Sequence, residues 1–210
     1  MYLQKKEFFL PCVVSTLVLL LSALPARGMM EDERKLFFYN THTHEHSAVI
    51  YKKGADYNPQ ALQKINHILR DHRADKVHPI DPALLDYLYD LLTKVDYHGE
   101  VHIISGYRSP ETNKNLRKKS SGVAAGSLHM QGKALDFRLP GIDTKFLRDT
   151  ALTMKRGGVG YYKKLDFIQI DTGRVRFWES FPPQVISFEK TLTDNLLGSG
   201  LHSCHCFCQL

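Results

Sequence analysis

Polar and apolar positions alternate through KLFFYNTHTHEHSAVIYKKG (35–54), and this alternation predicts two strands paired as a hairpin. The period then changes. Asn58 followed by Pro59 is a helix-start signal, and Leu62, Ile65, Ile68 and Leu69 recur at helical spacing behind it. Asp81-Pro82 repeats the device ahead of Leu84, Leu85, Leu88, Leu91, Leu92 and Val95. VHIISG (101–106) predicts a strand, and Ser109-Pro110 a short polar helix. KALDFRL (133–139) predicts another strand. A helix is expected from Asp143 or Thr144, with Phe146, Leu147, Ala151 and Leu152 inward. GGVGYY (157–162) is taken as a glycine-rich turn, LDFIQID (165–171) as a strand, and DTGRVRFW (171–178) as a turn and a further strand. Helices early and most strands late point to an α+β fold, with helices packed on a central antiparallel sheet.

The two ends read differently. Lys5 and Lys6 precede the apolar run 8–24, and Ala26 and Gly28 form a small-x-small cleavage pattern. Residues 1–28 are therefore expected to be a signal peptide, with an uncleaved membrane anchor as the alternative. The globular domain is assigned to 29–180 and a tail to 181–210. Of the four cysteines, Cys12 lies in the signal and Cys204, Cys206 and Cys208 crowd into the tail. No disulfide framework holds the domain. The tail's one-residue cysteine spacing, even with His202 and His205, is tight for a structural zinc site and is read as an idiosyncratic terminus.

Charge adds little. The net charge is +6; Lys5, Lys6 and Arg27 against Glu7 contribute two of these, leaving +4 for the rest. That balance suits an anionic polymer, but without an arginine-rich block or an aromatic RNA-binding signature it gives no case for nucleic acid. Three histidines in THTHEH (His42, His44, His46) would share one side of a strand. They are read as an exposed polar face, with a metal patch as the alternative.

The middle of the chain holds polar residues that packing does not require. Arg108 stands at the mouth of a strand in SGYRS. His129 follows a small-residue loop, and Asp136, seven residues later, interrupts an apolar strand. A buried carboxylate needs a cation or donors. The pair fits either two zinc ligands or a hydrogen-bonded structural pair, with Gly132 allowing a sharp turn between them.

ISGYRSPETNKNLRKKSSGVAAGSLHMQGKALDFRLPG and GGVGYYKKLDFIQIDTGRVRFW resemble the bacterial secreted zinc murein endopeptidases, which have the D-Ala-D-Ala carboxypeptidase/hedgehog-like fold. The likeness spans roughly 35–178 and is strongest at 104–140 and 157–178. It implies an α+β domain, a Zn²⁺ ion, peptidoglycan stem peptides as substrate, and a periplasmic or cell-envelope location. By this resemblance His129 and Asp136 match the first two zinc ligands. Arg108 matches an arginine facing the substrate. The third ligand, a histidine in the family, falls at Gln169. Asp166 is the candidate base, and Asp171 either orients a ligand or is itself the base; both could also be strand-end carboxylates facing water. Ser127 and Gln131 are further candidates for contact with substrate or ligands. An amide oxygen is a poorer zinc donor than imidazole. Three outcomes follow: Gln169 ligates through its oxygen, another histidine (His102, His202 or His205) completes the set, or the domain is a catalytically impaired murein-binding protein.

Overall fold

The computed structural model describes residues 32–119 and 122–179. The expected signal segment, 1–28, and the whole of the tail, 181–210, lie outside them. Eight strands form one sheet: β1 Glu33–Asn40, β2 His46–Lys53, β3 Asp56–Tyr57, β4 Val101–Ser105, β5 Ala134–Arg138, β6 Gly158–Tyr162, β7 Phe167–Asp171 and β8 Arg176–Glu179. Four α-helices accompany them: α1 Pro59–Ile68, α2 Pro82–Lys94, α3 Pro110–Lys119 and α4 Thr144–Met154. None of the described helices is long and apolar enough to cross a membrane.

The fold is α+β. The strand order is β3-β2-β1-β4-β5-β7-β6-β8. Its centre, β4-β5-β7-β6, is antiparallel throughout. The sheet as a whole is mixed, because β1 runs parallel to β4 and β8 parallel to β6. The first pairing arises because both helices α1 and α2 intervene between its strands. In the second, the chain after β7 crosses to the far side of β6, so 171–178 is not a simple hairpin.

The predicted caps form. Asn58 accepts from the Gln60 and Ala61 amides, Asp81 from Ala83, and Asp143 from Phe146. Each satisfies donors that a helix N-terminus leaves open. One sheet face is covered by helices and holds Leu36, Phe38, Tyr51, Ile103, Phe137, Ile168 and Ile170 against Leu84, Leu85, Leu88 and Leu91. Truncating any of these leucines to alanine should cost about 2–5 kcal/mol. In α4 the buried stripe is Leu147 and Ala151, one turn apart, and Leu152 packs at its edge. Phe146, expected inward, lies off that stripe and is 52% exposed.

GGVGYY is a strand and not a turn. Its glycines give clearance to neighbouring side chains: a Cβ on Gly160 would lie 2.6 Å from the Trp178 indole, and one on Gly158 would strike Arg176 and Asp171. THTHE (41–45) is the β1–β2 turn and His46 opens β2, so no strand face presents the three histidines together. His42 stacks on His72, while His44 Nδ1 meets the Tyr39 hydroxyl and His46 Nδ1 meets Glu100. No group of three histidine, cysteine or acidic residues suited to a metal occurs among the described residues.

Candidate metal centre

β1, β2 and β4 alternate between buried and more exposed positions, whereas β5 and β7 are almost wholly buried. The segment that follows β4 covers the second face of those central strands. It is tied down closely. Gly106 passes so near the Leu69 carbonyl that a Cβ would collide with it, and the Tyr107 amide donates to that oxygen at 2.7 Å. Buried Asp71 accepts from the Ser109 amide at 2.9 Å. The chain returns as a single 3-10 turn, Leu128–Gln131. Gly132 ends it at φ +65°, against the Pro79 carbonyl, where a side chain would be strained and would clash.

That turn sets His129 over Asp136, which pairs with Gln169 across β5 and β7. All three are nearly inaccessible, at 1%, 6% and 9% exposure. His129 Nε2 lies 3.3 Å from Asp136 Oδ1 and 3.3 Å from Gln169 Oε1. Hydrogen bonding fixes which atoms these are. His129 Nδ1 is 2.7 Å from the Gly106 carbonyl, which can only accept, so Nδ1 carries the hydrogen. Gln169 Nε2 donates to Asp171 Oδ2 at 3.4 Å, which turns Oε1 toward the histidine. For neutral imidazole, three lone-pair atoms thus face one another. Asp136 Oδ1 is buried and makes no hydrogen bond. Acceptors brought together without a donor need a cation. Around a tetrahedral ion with bonds of about 2.0–2.1 Å, neighbouring donors stand about 3.4 Å apart, close to the spacing observed. His129, Asp136 and Gln169 could therefore hold zinc.

Asp171 is fully buried and saturated. It accepts from the Gly158 and Gly173 amides at 3.1 and 2.9 Å, and from two Arg176 nitrogens at 2.9 and 2.7 Å, besides Gln169. Arg176 reaches it across Gly158, which explains the first glycine of β6. Asp166 stands elsewhere. It is exposed, left-handed at φ 53°, and accepts from the Thr144 hydroxyl at the start of α4. No hydrogen bond or ion pair joins it to the three central residues. Gln131 is exposed. Ser127 precedes the 3-10 turn without capping it by its side chain. His102 lies opposite Arg138 and packs edge-on against Tyr39, not on His129.

Arg108 borders the cluster. Its Nη2 is 3.6 Å from Asp136 Oδ2 and donates to Ser105 Oγ at 3.2 Å, and Nη1 reaches Asn113 Oδ1 at 3.5 Å. Nε is buried with no partner. Burial lowers the guanidinium pKa against the pull of Asp136. Arg108 remains a cation at neutral pH with unused donor capacity.

Tyr162 and Trp178 also belong to this face and were not singled out from the sequence. The available signal was a pair of matching alternations, glycine at 158 and 160 against Arg176 and Trp178.

Residues 29–178 match the family of peptidoglycan L,D-endopeptidase MepK. The peptidoglycan L,D-endopeptidase MepK of Escherichia coli K12 is 45% identical over 145 residues, covering 69% of this chain and 80% of that protein. The probable peptidoglycan L,D-endopeptidase MepK of Haemophilus influenzae is 38% identical over 147 residues, covering 70% and 79%. A family match over residues 29–178, with the resembling motifs gathered at one buried centre, leads to one conclusion: the chain belongs to the peptidoglycan L,D-endopeptidase MepK family of M15-type peptidases.

Proposed function

We propose that this protein is a zinc-dependent peptidoglycan L,D-endopeptidase of the cell envelope, with His129, Asp136 and Gln169 as metal ligands. One observation carries the reading: three buried acceptor atoms converge, and one of them, Asp136 Oδ1, has no hydrogen-bond donor. The relatives support the reaction class and the bond, since they are named for cleaving L,D bonds in peptidoglycan. The opening segment supports the location.

Zinc, when bound, supplies Lewis-acid activation of water and of a peptide carbonyl. The chain supplies the rest. The Gly106 carbonyl holds the His129 tautomer, and Asp171, anchored by Arg176, holds the Gln169 amide. Arg108 offers its free donors to a stem-peptide carboxylate or to the scissile carbonyl. Asp171 has every oxygen engaged, so it orients and does not take a proton. Asp166 is held by the Thr144 hydroxyl at the start of α4, away from the three central residues, so it is not placed to take the water's proton either; unchanged turnover in Asp166→Asn would bear this out.

Gln169 itself favours a second reading, a murein-binding protein with an impaired centre, because an amide oxygen binds zinc weakly. The deciding experiment measures zinc content and muropeptide release for protein starting at Met29. Wild type should hold zinc and cleave, and His129→Ala should lose both. The enzyme reading is lost if wild type does neither while Gln169→His gains both.

A further inference from the structure

Tyr162 is the last residue of β6, paired with Phe167. Two positions back, Gly160 pairs with Gln169, so Tyr162 and the proposed third ligand share a sheet face. The phenol ring is fixed on two sides. It stacks on Phe167 with centroids 4.4 Å apart and planes 15° apart, and its oxygen receives the Trp178 indole N–H at 3.3 Å. Trp178 is held in turn. It lies across Gly160, where any Cβ would meet the indole at 2.6 Å. The absence of a side chain at Gly160 therefore lets edge strand β8 reach over β6 and grip Tyr162 beside the centre.

The donor arithmetic gives this grip a consequence. An indole N–H can only donate, so the Tyr162 oxygen accepts there. Its own hydrogen then has no acceptor among the described residues. Burial first, and the negative charge of Asp136 second, raise the phenol's pKa, so it stays protonated across the neutral range. The hydroxyl is a fixed donor on the site face, with no acceptor among the described residues.

We propose that the Tyr162 hydroxyl is a catalytic residue, donating a hydrogen bond to the scissile peptide's carbonyl oxygen as that oxygen gathers negative charge, with Trp178 as its positioning residue. This rests on the peptidase reading above. The hydroxyl keeps its proton throughout; it shares the hydrogen and neither gains nor loses a bond. Arg108 carries a full charge on the Asp136 side of the site, whereas Tyr162 supplies a neutral, directional donor from the β6 side. A preorganised donor aimed at developing charge acts on the transition state more than on the bound substrate.

The test compares zinc-loaded wild type, Tyr162→Phe and Trp178→Phe on an L,D-linked muropeptide. A second arm measures affinity for a phosphinate peptide, whose tetrahedral phosphorus carries anionic oxygens where the carbonyl would be. In Tyr162→Phe, kcat should fall by about 100-fold with KM within about threefold, and phosphinate affinity should fall by a similar factor. Zinc content should be unchanged. Trp178→Phe keeps an aromatic ring over Gly160 and should show a smaller loss, again in kcat. Unaltered kcat and phosphinate affinity in Tyr162→Phe overturn the proposal, as does a loss confined to KM or traced to missing zinc. If no variant, wild type included, turns over the muropeptide, the peptidase reading has failed, and the phosphinate arm still decides the hydroxyl: equal affinity in wild type and Tyr162→Phe, or none in either, rejects it.

Discussion

Two carboxylates in this protein are buried to nearly the same depth, with 13% of the Asp86 side chain exposed and 9% of the Asp136 side chain. Their surroundings are opposite. Asp86, on α2, receives Arg34 at 3.2 Å, the Tyr51 hydroxyl at 2.8 Å, Lys52 at 2.9 Å and the Tyr57 hydroxyl at 2.6 Å. Both oxygens are used, and the cluster fastens the β1–β3 flank to the helix. Asp136 has a distant guanidinium on one oxygen and only facing acceptors at the other. The first arrangement is complete without a ligand; the second is a folded-state liability unless something positive arrives. Buried charge thus marks function here only where its hydrogen bonds are missing.

Removing the charge at each place should break this contrast if it is wrong. The largest effect is expected on the metal. Asp136→Asn, like His129→Ala, should weaken zinc binding by about 100-fold or more, since loss of even an outer partner costs about 10–100-fold. Calorimetry with zinc checks this. In the metal-free protein the same Asp136→Asn should cost less unfolding free energy than Asp86→Asn, about 1–2 kcal/mol, because relief of the unbonded Oδ1 offsets part of the lost Arg108 ion pair. Asp86→Asn should instead destabilise by about 2–4 kcal/mol in denaturant titration, since it strands Lys52 and leaves Arg34 with Asp90 alone on that side.

Gly160→Ala sharpens the comparison from the third side. The added methyl would displace Trp178, and the expected loss is about 1–3 kcal/mol in stability, with turnover falling further than zinc affinity. Thermal unfolding and kinetics on the same sample separate the two.

The smallest effect concerns acid. Burial pushes the Asp86 pKa up, but the hydrogen bonds from Tyr57, Lys52 and Tyr51 outweigh it, and the net position is below the ordinary carboxylate range. A depressed folded pKa adds stability above the unfolded value of about 4 and loses it as pH falls through the folded value. The stability gap between wild type and Asp86→Asn should be full at pH 7 and narrow below about pH 4. A gap that stays constant to pH 2 would remove Asp86 from this role.

Much of the fold was legible along the chain because its signals are local. Asn58-Pro59, Asp81-Pro82 and Asp143 start helices through bonds spanning two or three residues. Alternation gave the β1–β2 hairpin and β4, β5 and β7. GGVGYY was misread because glycine marks a turn by local rules, while here it makes room for Arg176 and Trp178 from another strand. The THTHEH alternation failed for a related reason: Asn40 folds the segment back through its side-chain bonds to the His42 and Thr43 amides, making a turn.

The sequence by itself, through its resemblance to the zinc murein endopeptidases, grouped His129, Asp136, Arg108 and position 169, and it shows that residue 169 is a glutamine. Only the tertiary structure decided what that glutamine faces. Its amide is turned by Asp171, itself gripped by Arg176 across Gly158, so that Oε1 meets the His129 lone pair. Those contacts join residues on three different strands and a distant turn, and directionality of hydrogen bonds, which no periodicity encodes, selects the atom that points inward.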